Sequence, residues 1–325
     1  MIKTIVSTEL PVGERLLVRK NVISGGTGGK RICIVSGTHG DELEGQMVCY
    51  ELVKALKEHL EYLDGEVDVY PALNPLGIDT IQRGIPNFDL DMNRIFPGSP
   101  GGSMAEQVAY SVMEDLKGAD VVIDVHSSNL YLRETPQVRI NVLTEQQLVP
   151  LARYLHVPFI WVHDAATVLE ATLAYSLNST GTPCLVVEMG VGQRINDRMC
   201  TALVRGIFSL MRYLDMWLDG AESDLSDDPI VCKGDRVSFL NAETSGVFLT
   251  ELKCGTVVRQ GQRIGAIVDP LRGSVLSQVA SPVDGFLFTI RAYPIVYEGS
   301  LMARIYNFEN KEANASVANI KEEHI

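Results

Sequence analysis

RICIVSGTHGDELEGQMVCYELVKALKEHL, residues 31–60, decides the fold class. Its first part, RICIVSG (31–37), is a short β-branched apolar run that reads as a buried strand. Past a Gly turn, Leu43, Met47, Tyr50, Leu52, Val53, Leu56 and Leu60 recur at helical spacing, which predicts an amphipathic helix over 42–60. The same alternation runs on. Strands are expected at EVDVYPAL (66–73), DVVIDVH (120–126), VRINVLT, PFIWVH and PCLVVEMG, and helices at 104–117 and around 145–155, 168–179 and 194–218. Strands alternating with helices predict an α/β fold, a mixed or mostly parallel sheet flanked by helices. The stretch from Asn74 to Gly102 reads as a loop, long enough that a functional role is the better expectation. GGTGGK (25–30) resembles a phosphate loop only in part. Ser24 stands where the first Gly belongs and no Ser or Thr follows Lys30, so a hairpin turn is expected.

The acidic, Pro-terminated segment LDGAESDLSDDP (218–229) is the linker candidate. It divides a catalytic domain at about 1–220 from a smaller all-β domain at about 230–310, where helical periodicity gives way to short strands and Gly turns. Residues 311–325 form a polar tail. Within the β domain, GVFLTELKCGTVVRQGQRIGAI (246–267) parallels GFLFTIRAYPIVYEGSLMARI (285–305). That two-fold pattern resembles the barrel-sandwich fold of biotinyl and lipoyl carrier domains. The stretch that would carry their modified Lys, 269–282, has no Lys, so the barrel is expected to be structural.

Composition excludes several classes. With 46% hydrophobic and 21% charged residues the chain has the makings of an ordered globular protein. A formal net charge of −13 argues against a nucleic-acid partner. No apolar run reaches the ~18 residues of a membrane span, and the first residues lack a signal-peptide core, so a cytoplasmic protein is expected. Cysteines 33, 49, 184, 200, 232 and 254 are scattered without a CxxC pair, as expected of reduced, buried thiols.

Three segments can do chemistry. In SGTHGDELEG (36–45), His39 and Glu42 stand three apart where a strand hands over to a helix, a spacing that aims two good zinc ligands at one point. In DVVIDVHSS (120–128), His126 ends a strand, where open α/β sheets place ligands; a core histidine bonded to backbone is equally compatible. In CLVVEMGVG (184–192), Glu188 ends a hydrophobic strand, a costly place for a carboxylate without a role or a partner. Asp124, two residues before His126 on the same face, either orients an imidazole or pairs elsewhere. Arg83, Asn93 and Arg94 lie in the long loop, the last two between Phe88 and Phe96 as hydrophobic anchors, and can clamp a carboxylate. His156 and His163 are expected to pack or face solvent, and His59 and His324 to be solvated.

HGDE, NPxG, DLDMNRIFPG, DVHSS and VEMG, in that order, resemble the succinylglutamate desuccinylase and aspartoacylase family, relatives of the zinc carboxypeptidases. The resemblance covers roughly residues 30–310. It implies one zinc held by His39, Glu42 and His126, and Glu188 as the general base. It further implies Asn93 and Arg94 as the holders of a substrate carboxylate, and Arg83 as the residue that polarises the scissile carbonyl. The activity implied is hydrolysis of the amide of a small N-acyl amino acid or related compound bearing a carboxylate. Two rivals stand beside it, a metallocarboxypeptidase acting on short peptides and a non-catalytic binding protein on the same fold. Because the family closes its site with the C-terminal domain, Tyr293 or Tyr297 is a candidate to reach it. The acyl group and amine stay undetermined, and self-association into a homo-oligomer stays open.

Overall fold

The computed structural model describes residues 1–308 apart from 87, 89, 165–169, 226–228 and 235; the tail and His324 lie outside the described residues. In chain order the elements of the larger part are β1 (Ile2–Glu9), β2 (Arg15–Gly25), β3 (Arg31–Ser36), α1 (Glu44–Glu58), β4 (Gly65–Tyr70), α2 (Pro75–Thr80), α3 (Met104–Leu116), β5 (Val121–Ser127), β6 (Leu132–Asn141), α4 (Glu145–Ala152), β7 (Phe159–His163), α5 (Leu173–Ser179), β8 (Cys184–Gly190), α6 (Asp197–Tyr213) and β9 (Ile230–Lys233). Strands β4, β3, β5 and β8 run parallel at the centre of the sheet, and β2 and β6 flank them antiparallel.

Both faces of that central sheet are covered, which is why its strands read as unbroken apolar runs. On one face Ile32, Ile34, Ile123, Val125, Leu185 and Val187 pack with Leu52 and Leu56 of α1 and Leu203, Ile207 and Leu210 of α6. On the other, Cys33, Val35, Val122 and Cys184 pack with Val108, Val112 and Leu116 of α3 and Leu173 and Leu177 of α5. All six cysteines are free and buried. Burial pushes the thiols of Cys33 and Cys49 up to about 12, which leaves them inert.

The sequence 25–30 is not a hairpin turn. Strands β2 and β3 do not pair with each other; β4 lies between them, and the turn is held by Asp64 Oδ1, which accepts from the backbone N–H of Thr27 (2.7 Å) and Gly28 (2.6 Å). The long loop is also more ordered than its composition suggests. It contains α2, capped by Asn74, whose Oδ1 accepts from Gly77 N and whose Nδ2 donates to Gly84 O, and a 3-10 turn at Met92–Arg94. Gly40 and Gly77 meet backbone to backbone, and a side chain at Gly40 would collide with the Gly77 carbonyl.

The C-terminal region is all-β: β10 (Val237–Asn241), β11 (Gly246–Leu249), β12 (Thr256–Val258), β13 (Arg263–Asp269), β14 (Ser274–Ala280), β15 (Gly285–Arg291), β16 (Ile295–Val296) and β17 (Leu301–Asn307). The internal repeat explains its architecture. Each repeat supplies an antiparallel pair, β11 with β13 and β15 with β17, and lends its short middle strand to the other, β12 to β15 and β16 to β11. The region is hydrogen-bonded into the larger sheet: one edge of β6 takes β15 at Leu132–Glu134 and β7 further along, and β9 extends β7. The acidic segment before β9 is partly tied down, because Asp219 accepts from Arg212 Nε and Nη2 (2.9 and 2.6 Å) and from Trp217 Nε1. Among the described residues no helix is long and apolar enough to cross a membrane.

Candidate active site

The carboxyl ends of β3, β5 and β8 bring together residues far apart in the chain. His39 follows β3, Glu42 precedes the first turn of α1, His126 is near the end of β5, and Glu188 sits directly beside His126 in the β5–β8 register. One ligand atom from each of His39, Glu42 and His126 falls within 4.8 Å of the other two, and all three residues are buried. Glu42 stands between the rings, with Oε1 2.7 Å from His39 Nδ1 and Oε2 2.9 Å from His126 Nδ1. Burial alone would raise the Glu42 carboxyl, but the two imidazoles outweigh it and hold the acid well below the usual carboxylate range. Both histidines are raised: burial opposes the charge, and the carboxylates around them overcome it.

The far nitrogen of each ring also meets a carboxylate. His126 Nε2 lies 3.0 Å from Asp124 Oδ2, and His39 Nε2 lies 3.0 Å from Asp91 Oδ1. Two imidazoles and a carboxylate, each imidazole oriented from behind by an acid, form a donor set that can hold a divalent metal. Asp91 is a residue that sequence reasoning missed. It lies inside the quoted motif DLDMNR, but nothing in its spacing marks it, since only the fold of the loop carries it to His39.

Arg83 donates from Nη1 to Glu42 Oε1 (2.9 Å) and from Nε to Asp91 Oδ2 (3.3 Å), beside the His–Glu–His cluster. Asn93 Oδ1 accepts from Leu173 N at the start of α5 (2.9 Å), so its amide orientation is settled and its NH2 is left to donate. Arg94 donates to the Asn93 carbonyl. Phe96 is buried as an anchor, whereas Phe88 is 46% exposed, a correction to the sequence reading. Behind the site Glu44 is fully buried, its carboxylate accepting from Ser127 Oγ and Val191 N, and burial raises it to about 7. Gly190 of VEMG has φ +64°, and a Cβ there would strike Glu44.

These residues open on one cavity of about 790 Å³, lined by His39, His126, Glu188, Arg83, Asn93 and Arg94. Its further wall was not expected. His163, read from sequence as packing or surface, lines it, as do Trp161 and Arg139. So do Val237, Phe239 and Arg304 of the C-terminal region. Tyr293 and Tyr297 do not line it; they are 49% and 71% exposed, and Tyr293 stacks edge-on against Tyr131. His156 meets Asp224 and His59 lies largely in solvent.

The family model described as the succinylglutamate desuccinylase/aspartoacylase catalytic domain matches residues 28–214. The chain belongs to this family. An N-alpha-acetyl-L-2,4-diaminobutyric acid deacetylase of Halomonas elongata is 26% identical over 315 residues, covering 94% of this chain and 90% of that protein. Among solved structures, a succinylglutamate desuccinylase/aspartoacylase from Rhodobacter sphaeroides superposes with a TM-score of 0.78 at 20% identity, over 94% of this chain and 96% of the other. The product-bound ectoine utilization protein EutE (DoeB) from Ruegeria pomeroyi superposes with a TM-score of 0.76 at 20% identity, over 93% of each. At these identities the two structures speak for the family fold, a mixed sheet with flanking helices and a C-terminal all-β region.

Proposed function

We propose that the protein is a zinc-dependent amidohydrolase that removes the acyl group from a small, carboxylate-bearing N-acyl amino acid or related compound. The observation that carries this reading is the convergence of His39, Glu42 and His126 with Glu188 on the adjacent strand, inside a cavity sized for a small molecule. Zinc fits the donor set, and when bound supplies a water with a pKa lowered to about 7 and a Lewis acid for the scissile carbonyl. Glu188 takes a proton from the attacking water and delivers it to the leaving nitrogen. Burial pushes its carboxyl up, despite the opposing Arg139. Arg83 keeps Nη2 for the carbonyl oxygen, its Nε and Nη1 being engaged by Asp91 and Glu42. The Asn93 amide and the Arg94 guanidinium present only donors, which suits a carboxylate. The relative from Halomonas elongata makes N-acetyl-L-2,4-diaminobutyric acid a first substrate to try.

The test is a hydrolysis panel of N-acyl amino acids, that compound included, set against short peptides, with zinc-loaded wild type and Glu188→Gln. We expect deacylation of at least one N-acyl amino acid, and Glu188→Gln to keep its zinc and lose on the order of 100-fold or more in turnover. Near wild-type activity in the variant removes Glu188 from the mechanism. Cleavage of peptides alone makes the protein a carboxypeptidase.

A further inference from the structure

The wall of the cavity behind Glu188 is a chain of alternating charges that crosses from one part of the protein to the other. Arg139 of β6 donates from Nη1 to Glu188 Oε1 (3.1 Å) and from Nη2 to Glu134 Oε2 (2.7 Å). The second oxygen of Glu134 accepts from Arg304 Nη1 of β17 (2.6 Å) and from Thr289 Oγ1 of β15 (3.4 Å). Glu134 itself is 1% exposed, a carboxylate that is buried at high cost unless such partners compensate it. Trp161, opposite Arg139 in the β6–β7 register, lies under both guanidiniums, each 5.7 Å from its ring.

Strand parity makes the arrangement notable. Glu134 and Arg139 are five residues apart, so in a regular strand they would point to opposite faces. The β6–β8 pairing carries a bulge between Glu134 and Gln137, where three steps on β6 match two on β8, and the extra residue returns both side chains to one face.

We propose that Arg139 is a positioning residue that aims the Glu188 carboxylate, and that Glu134 and Arg304 form the brace that fixes Arg139. The inference rests on Glu188 being the general base. A guanidinium held at one arm by an immobile carboxylate offers the other arm in a fixed plane, so Glu188 has one place to rest. Without the brace, Arg139 swings and the base samples orientations away from the attacking water, which lowers turnover and leaves substrate affinity alone. The C-terminal β region thereby enters the reaction through Arg304.

The experiment is steady-state kinetics on the best substrate of the panel above, for Arg139→Lys, Glu134→Gln, Arg304→Met and Arg304→Lys, each with zinc content and thermal midpoint measured. Arg139→Lys is expected to lower kcat about 10- to 100-fold, the scale of one charge-assisted bond, with KM within about twofold. Arg304→Met is expected to lower kcat by roughly 10-fold, and Arg304→Lys to recover part of that loss by keeping one bond to Glu134. Adding Arg304→Met to Arg139→Lys, or to Glu188→Gln, costs nothing further, because the brace acts only through those residues. Losses that multiply, a KM that rises while kcat stays, or an unchanged kcat in Arg304→Met with wild-type zinc content, overturns the proposal. Near wild-type kcat in Glu188→Gln instead overturns the base assignment on which it stands.

Discussion

Replacing Asp91 by Asn tests whether the second acid behind the His39–Glu42–His126 group does what its position implies. Asp91 is 25% exposed in its side chain, and each of its oxygens is engaged: Oδ1 by His39 Nε2 and Asn93 N, Oδ2 by Arg83 Nε. An amide keeps the shape and loses the charge. If its oxygen stays with His39, its NH2 is turned toward Arg83, setting donor against donor. If it flips, the NH2 faces His39 Nε2 and the imidazole loses its acceptor. Either way His39 becomes a poorer ligand, and orienting partners of this kind are typically worth 10- to 100-fold in metal affinity. We expect zinc affinity to fall in that range, or about 1.4–2.8 kcal/mol. Competition against a chelator of known affinity reads it directly. Asp124→Asn, behind His126 at 1% exposure, is the internal comparison and should lose at least as much, since less water can replace the lost partner. Unchanged zinc affinity in Asp91→Asn, beside a weakened Asp124→Asn, would refute the role of Asp91 and leave it as the organiser of the 91–94 turn.

Metal analysis of chelator-free protein should find one zinc per chain, and His126→Ala should lose it, because Glu42 and His39 alone make a two-residue site. Arg94→Lys should lower kcat/KM about 10- to 100-fold on a carboxylate substrate while sparing zinc, and cost less when that carboxylate is a neutral amide; equal losses on both substrates exclude carboxylate recognition by Arg94. Asp219→Asn should destabilise the fold by about 1–2 kcal/mol at neutral pH by urea denaturation. The Arg212 hydrogen bonds hold the Asp219 acid down to about 2, so its contribution is present above the unfolded value of 3.8 and fades as pH falls through about 2; the variant's deficit should shrink over that window.

What the sequence made legible was whatever depends on local pattern. His126 and Glu188 stand near strand ends, and His39 and Glu42 in the turn between β3 and α1, places that period and turn residues locate without knowledge of partners. Asp91 has no local signal, because a loop path is a product of packing, and His163, though it ends β7, does not reveal from its own strand which cavity it will line. The Glu134–Arg139 pair was hidden more deeply, since the bulge in β6 inverts the parity on which a strand reading relies. Arg304 lies 165 positions from Arg139, and only the pairing of β17 with β15 and of β15 with β6 brings them near. The same registers make the border between the two regions less clean than composition suggests, for a linker can be read from Gly, Asp and Pro while sheet continuity across it cannot.

The brace also has a consequence for how the chain comes into being. Arg304 lies on β17, the last strand among the described residues, and Thr289 on β15, so a nascent chain lacking these strands holds Glu134 with Arg139 alone. Until they arrive, the seam at β6 presents an open edge and a carboxylate without two of its three side-chain partners, both of which favour local opening over closure. The Glu134–Arg139 pair therefore reaches this arrangement only once β15 and β17 have been made. Vectorial folding thus supplies His39, Glu42 and His126 before the strands that complete the partners of Glu134.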